Sequence, residues 1–175
     1  MKTIIIFSAL IVFIVFSYCS NPSSPAENDR FAIYLLKNDS LTTKDVEKVN
    51  LSRLTLKDNP VISFDDIVGY QIEDHKVYLA ENPSTYFGTG YITLFSEYFG
   101  KPFVLIASGE RIYLGSFQSL ISSWLPNTPY VFSFSVIDDE NSFIIYRAPY
   151  YDESTFIDVR NDKRIFQTLG DKLMH

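Results

Sequence analysis

Three kinds of residue in this chain could do chemistry: clustered acids, two histidines and a set of aromatics near loops. The acids group at Asp65-Asp66, Glu73-Asp74 and Asp138-Asp139-Glu140. Two carboxylates held across a cleft can cleave a glycosidic bond, one as acid and the other as nucleophile or base. Adjacent acids in a turn point apart into water, so a solvated turn is the expectation for each group. The histidines are His75 and His175. A hydrolytic triad needs a histidine beside an activated serine. Ser108-Gly109 lacks the flanking glycine of a nucleophile elbow, and His75 falls in a predicted hairpin tip, where a solvated ring is expected. Histidines so placed do not suggest a zinc site. Asp138-Asp139-Glu140-Asn141 lacks the spacing of a calcium loop. No cofactor and no metal are expected.

Arg160 and Arg164 lie one helical turn apart and could grip an anion. Asp158 and Asp162 are nearer partners, and pairing with them on the surface is the expectation. The aromatics are the better lead. Tyr86, Tyr91, Trp124, Tyr130, Tyr150 and Tyr151 lie in or beside predicted loops. Exposed Trp and Tyr anchor protein interfaces and can stack on sugars. Glu110 and Arg111, next to a predicted turn, could add a polar rim. These eight residues form the candidate ligand or partner surface.

The elements that must position them follow from pattern. Phe31–Leu36 is an apolar run of strand formers. Thr42 or Thr43 can cap a helix over 44–49, and Ser63 can cap a helical turn over 63–66. Residues 67–72 and 77–79 read as a hairpin. Aromatics at helical spacing predict a helix over about 90–99, ended by Gly100-Lys101-Pro102. Phe103–Ile106 and Arg111–Leu114 flank a tight turn in which Gly109 takes positive φ. Ser116–Trp124 is expected as a short helix or loop. Tyr130–Ile137 and Ser142–Arg147 read as another hairpin. Asn161 can cap a C-terminal helix that buries Ile165, Phe166 and Leu169 and ends at Gly170. The expected fold class is α+β, a mainly antiparallel sheet with helices packed on one face.

The N-terminus supplies an address. Lys2 precedes an almost continuous apolar run from Thr3 to Phe16, then Cys19 and the polar Ser20-Asn21-Pro22-Ser23-Ser24-Pro25. The run suits a signal-peptide core and is short for a spanning helix of roughly twenty residues. Phe16-Ser17-Tyr18-Cys19 resembles the processing site of a bacterial lipoprotein precursor. Ser17 suits that pattern, whereas Tyr18 replaces the small residue usual before the cysteine. The resemblance implies lipid on Cys19, and a cleaved secretory signal or an uncleaved anchor are the other readings. Cys19 is the chain's single cysteine, so the remainder offers no disulfide or thiolate site. The expected organisation is a signal peptide over 1–18, a flexible tether over 19–29 and one domain over 30–175.

The formal charge is −6, which disfavours nucleic acid and polybasic docking on anionic lipid. Val77-Tyr78-Leu79, Gly100-Lys101-Pro102-Phe103-Val104-Leu105-Ile106 and Ser108-Gly109-Glu110 together resemble the periplasmic head region of the SecD subunit of the protein-export machinery, over residues 66–115. That resemblance implies a helix–hairpin unit and carries no translocation function, since the subunit's set of membrane helices has no counterpart in these residues. The hairpin over 100–115 also resembles uncharacterised envelope lipoproteins. The expected function is therefore non-catalytic binding in the cell envelope. The partners would be the membrane, through lipid on Cys19, and an envelope protein or glycan. The rival is a carboxylate-dependent hydrolase acting on cell-wall glycan. A regulator that uses a sheet edge is a third reading.

Overall fold

The structure, a computed structural model, describes residues 30–87, 98–119, 121–132, 141–149 and 157–174. Cys19 and the expected signal and tether lie outside the described residues. So do Tyr91, Tyr150, Tyr151, Asp138–Glu140, His175 and most of the helix expected over 90–99.

Strand β1 (Phe31–Leu35) is buried on both faces. Phe31 and Ile33 point to one side, Ala32 and Tyr34 to the other. Double burial is why the segment reads as a continuous apolar run without alternation. β2 (Ile62–Ser63) pairs on one side of β1, and β5 (Pro102–Ala107) on the other, from Phe31↔Ala107 to Leu35↔Phe103. β5 turns into β6 (Glu110–Gln118) through Ser108-Gly109. Both turn residues have positive φ, 52° and 73°, the condition of a two-residue type I′ hairpin. β6 continues to Gln118, so strand replaces the helix or loop expected from Ser116.

The other half of the sheet holds β3 (Ile67–Gln71) and β4 (Lys76–Leu79), a hairpin. β8 (Ser142–Tyr146) joins β4, and β7 (Tyr130–Phe132) bridges β8 to the end of β6. β9 (Leu173–Met174), which no sequence signal announced, lies parallel to β3. The order is β2-β1-β5-β6-β7-β8-β4-β3-β9. Six of these pairings are antiparallel and two, β6–β7 and β3–β9, are parallel. The sheet is mixed, and the antiparallel expectation holds only in part.

One connection shapes the whole. β2, at one edge, leads to β3, next to the other edge, through a single 3-10 turn at Phe64–Asp66. Three residues cannot cross an open nine-stranded sheet. The sheet therefore curls until its ends meet. Lys172, just before β9, seals the join: its Nζ donates to the carbonyls of Phe64 and Ile67 at 2.7 and 2.6 Å. Inside the curl lies one apolar core, with Phe31, Phe103, Phe117, Phe143, Tyr70 and Ile165 among its members.

Among the described residues the helices are short and few, and they do not share one face, so the expectation of helices packed on one face holds only in part. α3 (Lys163–Leu169) sends Ile165 and Leu169 into the inner core. α1 (Thr43–Val46) and the 3-10 turn Leu51–Arg53 cover the opposite side of β1 and β5, where Val46 and Leu54 meet Tyr34, Val104 and Leu114. α2 (Pro83–Phe87) contributes Phe87 to the inner core. The cap of α3 is Asp162, one residue later than expected, because Asn161 closes a preceding 3-10 turn.

Candidate functional site

At the end of β6 the chain turns away from the sheet at Ser119 and runs to Trp124. Ser122 sets this path: its Oγ donates to the Trp124 carbonyl at 2.6 Å and accepts from the Trp124 amide at 3.2 Å. Opposite stands the turn at 98–100, where Gly100 takes a positive φ of 72°. The Gly100 amide donates to Phe117 O, and Gly100 O accepts from the amide of Thr43, each at 2.8 Å. Backbone bonds thus join the start of α1, this turn and the end of β6.

Between these segments lies a cleft of about 630 Å³, within the usual range for a ligand site. Phe99, Ile121 and Trp124 supply its apolar surface. Phe99 is 47% and Ile121 61% exposed. From Gln118, on that lining, a chain of hydrogen bonds runs into the protein. Gln118 Nε2 donates to Ser116 Oγ at 2.6 Å, Ser116 Oγ and Thr43 Oγ1 are 2.7 Å apart, and Thr43 Oγ1 donates to Gly100 O at 3.1 Å. This chain gives Gln118 a fixed place on the lining. Lys44 is the one charged residue on the lining among the described residues, and no carboxylate lines it. A smaller hollow of about 260 Å³ lies on the other side of Lys101. There the Lys57 ammonium holds Asp39 at 2.9 Å and keeps its carboxyl below the usual range.

A second cluster sits inside the curl. His75 is only 4% exposed, so the solvated tip expected for it is wrong. Its backbone takes a left-handed φ of 57°, and this turns the ring inward, where Nδ1 lies 2.8 Å from the Tyr70 hydroxyl. Arg160 closes the cluster. Its Nε and Nη2 donate to Asp158, and its Nη1 donates to the Ile145 carbonyl at 2.8 Å. Burial, with help from the Arg160 charge, pushes His75 down to about 4. Burial raises the Tyr70 and Tyr113 phenols. Every one of these shifts moves away from neutrality, whereas general acid–base work favours groups that titrate near the working pH. His75 and Tyr70 are neutral, hydrogen-bonded parts of the core, beside the Arg160–Asp158 ion pair.

No protein-family model matches this chain, and neither the search of curated proteins nor that of solved structures finds a similar one. The resemblances to lipoprotein precursors and to the SecD head region rest on the residues quoted for them. No helix among the described residues is long and apolar enough to cross a membrane. No group of His, Cys, Asp or Glu among them could hold a metal ion.

Of the eight residues expected to form a surface, five are among the described residues, and one of these five, Trp124, lines the cleft. Tyr130 is buried, stacked on Tyr146 at 5.5 Å with Phe132 edge-on at 5.0 Å. Tyr86 is half-buried against the inner core. Tyr86 packs against the inner core, whereas Tyr130, on the face of β7 opposite Val131, packs on Tyr146 and Phe132; both correct the expectation of loop exposure. Glu110 and Arg111 lie at the opposite end of β6. Glu110 pairs with Arg164, and Arg111 holds the Leu51 and Leu54 carbonyls, the latter at 2.8 Å. Tyr91, Tyr150 and Tyr151 are outside the described residues.

Arg160 and Arg164 pair with Asp158 and Asp162, as expected. Among the acids, Asp66 caps its turn by accepting from the Ser63 amide and hydroxyl at 2.8 and 2.6 Å. Asp65, Glu73 and Asp74 are exposed. Sequence reasoning missed Phe99 and Ile121. The signal they carried was weak: Ile121 follows Leu120 and precedes Ser122-Ser123, and Phe99 follows Tyr98 and precedes a glycine that adopts positive φ.

Proposed function

We propose that this is an exported envelope protein, held by lipid on Cys19, whose folded part binds a ligand without transforming it. The cleft at Phe99, Ile121 and Trp124 is its binding surface. The observation that carries this reading is that pair of large, exposed apolar side chains beside the tryptophan, on a cleft whose described lining has no carboxylate. Apolar rings beside a fixed polar group suit recognition. A glycoside hydrolase needs a carboxyl at the bond it cuts. The address is supported by Lys2, the apolar run and the single cysteine.

A photo-crosslinking residue at Ile121 of the full chain tests the surface in intact cells. A discrete adduct is expected there and not from the same residue at Lys48, which is exposed outside the cleft. Identical patterns from both positions would overturn the reading. Mass spectrometry of the mature N-terminus tests the address separately. Lipid on Cys19 is expected, and an intact Met1 or an unmodified Cys19 would defeat it.

A further inference from the structure

We infer that Met174 is an oxidation site that governs the seal of the curled sheet. A peroxide converts its thioether to a sulfoxide, and the sulfoxide loosens β9 from β3. The chain has two methionines, and the other is Met1. Met174 is 45% exposed, so a small oxidant in the surrounding water reaches its side chain. The seat of that side chain is the first ground. β9 is the last strand in the sheet order and lies along β3, with Tyr70 opposite Leu173 and Gln71 opposite Met174. Successive side chains of a strand face opposite ways. Leu173 packs on the inner core, so Met174 lies on the outer face. There its Sδ rests on Gly69: a Cβ added to that glycine would stand only 2.5 Å from the sulfur. The Tyr78 ring borders the same point at 3.7 Å. The sulfur fills the space that a side chain of β3 would otherwise take.

The shortness of β9 is the second ground. The strand has two residues, and the Ile72 amide reaches the Met174 carbonyl only at 3.4 Å, long for such a bond. Side-chain seating therefore carries much of its hold on β3. Lys172 directly precedes β9, and its ammonium binds the Phe64 and Ile67 carbonyls at the join. A shift of β9 draws that ammonium away from its acceptors.

The chemistry is the third. The sulfur lone pair attacks one oxygen of hydrogen peroxide. An S–O bond forms, the O–O bond breaks, and the departing hydroxide takes the proton of the transferred oxygen and leaves as water. Sulfur loses two electrons and the peroxide gains them. The product is bulkier and strongly polar. Its oxygen has no room between the sulfur and Gly69, and contact with the glycine and the Tyr78 ring would cost it hydration. Turning outward to water unseats the side chain.

Full-length protein in detergent is treated with dilute hydrogen peroxide beside free methionine as a reference. Peptide mass spectrometry should place one added oxygen on Met174. Amide exchange of the oxidised protein should then rise about tenfold in β3 and β9, the scale of a lost sulfur contact, and stay unchanged in β1 and β5. Methionine sulfoxide reductases of both stereospecificities should return the exchange to its starting rate. Met174→Leu keeps an apolar side chain of similar volume in the seat and has no sulfur, so its exchange should match that of the untreated parent and ignore peroxide. A Met174 that stays unmodified while free methionine is consumed would overturn the assignment. So would unchanged exchange in β3 and β9 after oxidation, or loosening that the reductases leave in place. An equal peroxide response in Met174→Leu would put the effect on another residue and overturn it as well.

Discussion

His75 shows what burial does to a single titratable residue. Inside the core its charged form meets low polarizability and the Arg160 charge, with Asp158 and Asp74 only partly compensating, so its pKa drops from 6.5 to about 4. The unfolded chain therefore takes up a proton near pH 6.5 that the folded chain refuses until about pH 4. Stability is unaffected above pH 6.5, falls as pH drops from 6.5 to 4, and levels off for this group below that. At about 1.4 kcal/mol per pH unit the loss comes to about 3 kcal/mol. Urea midpoints at pH 7, 5.5 and 4 should show this decline. His75→Asn should flatten it, because Asn tolerates the left-handed backbone and does not titrate. A midpoint that stays constant from pH 7 to 4 in the parent protein would refute the assignment.

The carboxylates act lower. For Asp158, burial alone would raise the pKa, but the hydrogen bonds and charge of Arg160 outweigh it and lower the group. Hydrogen bonds from Arg164 bring Asp162 down to about 2. Their contribution is present above about pH 4 and is lost as pH falls towards 2. The Arg–Asp pairs were legible from their spacing, but the burial of His75 was not. A histidine between Asp74 and Lys76 looks like a wet turn, and only its positive φ turns the ring inward.

Two glycines separate two demands at the scale of the element. Gly109 sits in the β5–β6 turn with φ 73° and open space around a would-be Cβ. Gly109→Ala should cost about 1 kcal/mol, purely from the left-handed backbone. Gly115 lies opposite Phe103 in the ladder, and a Cβ there would run into the Phe103 ring. Gly115→Ala should cost more, about 1–3 kcal/mol, because a buried aromatic must move. Thermal or urea melts of the two variants rank these costs, and the reverse order would contradict this account. The first glycine was readable from Ala107-Ser108-Gly109-Glu110, since turn chemistry is local. The second was not, because its reason lies in the paired strand.

For the whole molecule the decisive feature is closure. The 3-10 turn from β2 to β3 and the hydrogen bonds of Lys172 bring the sheet's ends together. Lys172→Met removes two charge-assisted bonds to the Phe64 and Ile67 carbonyls and should lower stability by about 1–3 kcal/mol. Amide exchange should rise first in β2 and β3 and last in β1 and β5. Equal change across all strands would mean that the join is not a local seal.

Sequence alone determined the local units. Apolar runs, caps and turn residues placed β1, the two hairpins of the inner strands, the Ser63 cap and the end of α3 at Gly170, because each depends on neighbours a few residues away. The N-terminal run and Cys19 set the expected address in the same way. Tertiary structure decided the rest. It paired β7 with β6 in parallel, added β9, divided the short helices between two faces, buried Tyr130 and His75, and brought Phe99, Ile121 and Trp124 to one cleft. Those outcomes depend on which strands meet when the sheet curls. Strand pairing joins residues far apart in the chain, and no local pattern encodes that choice.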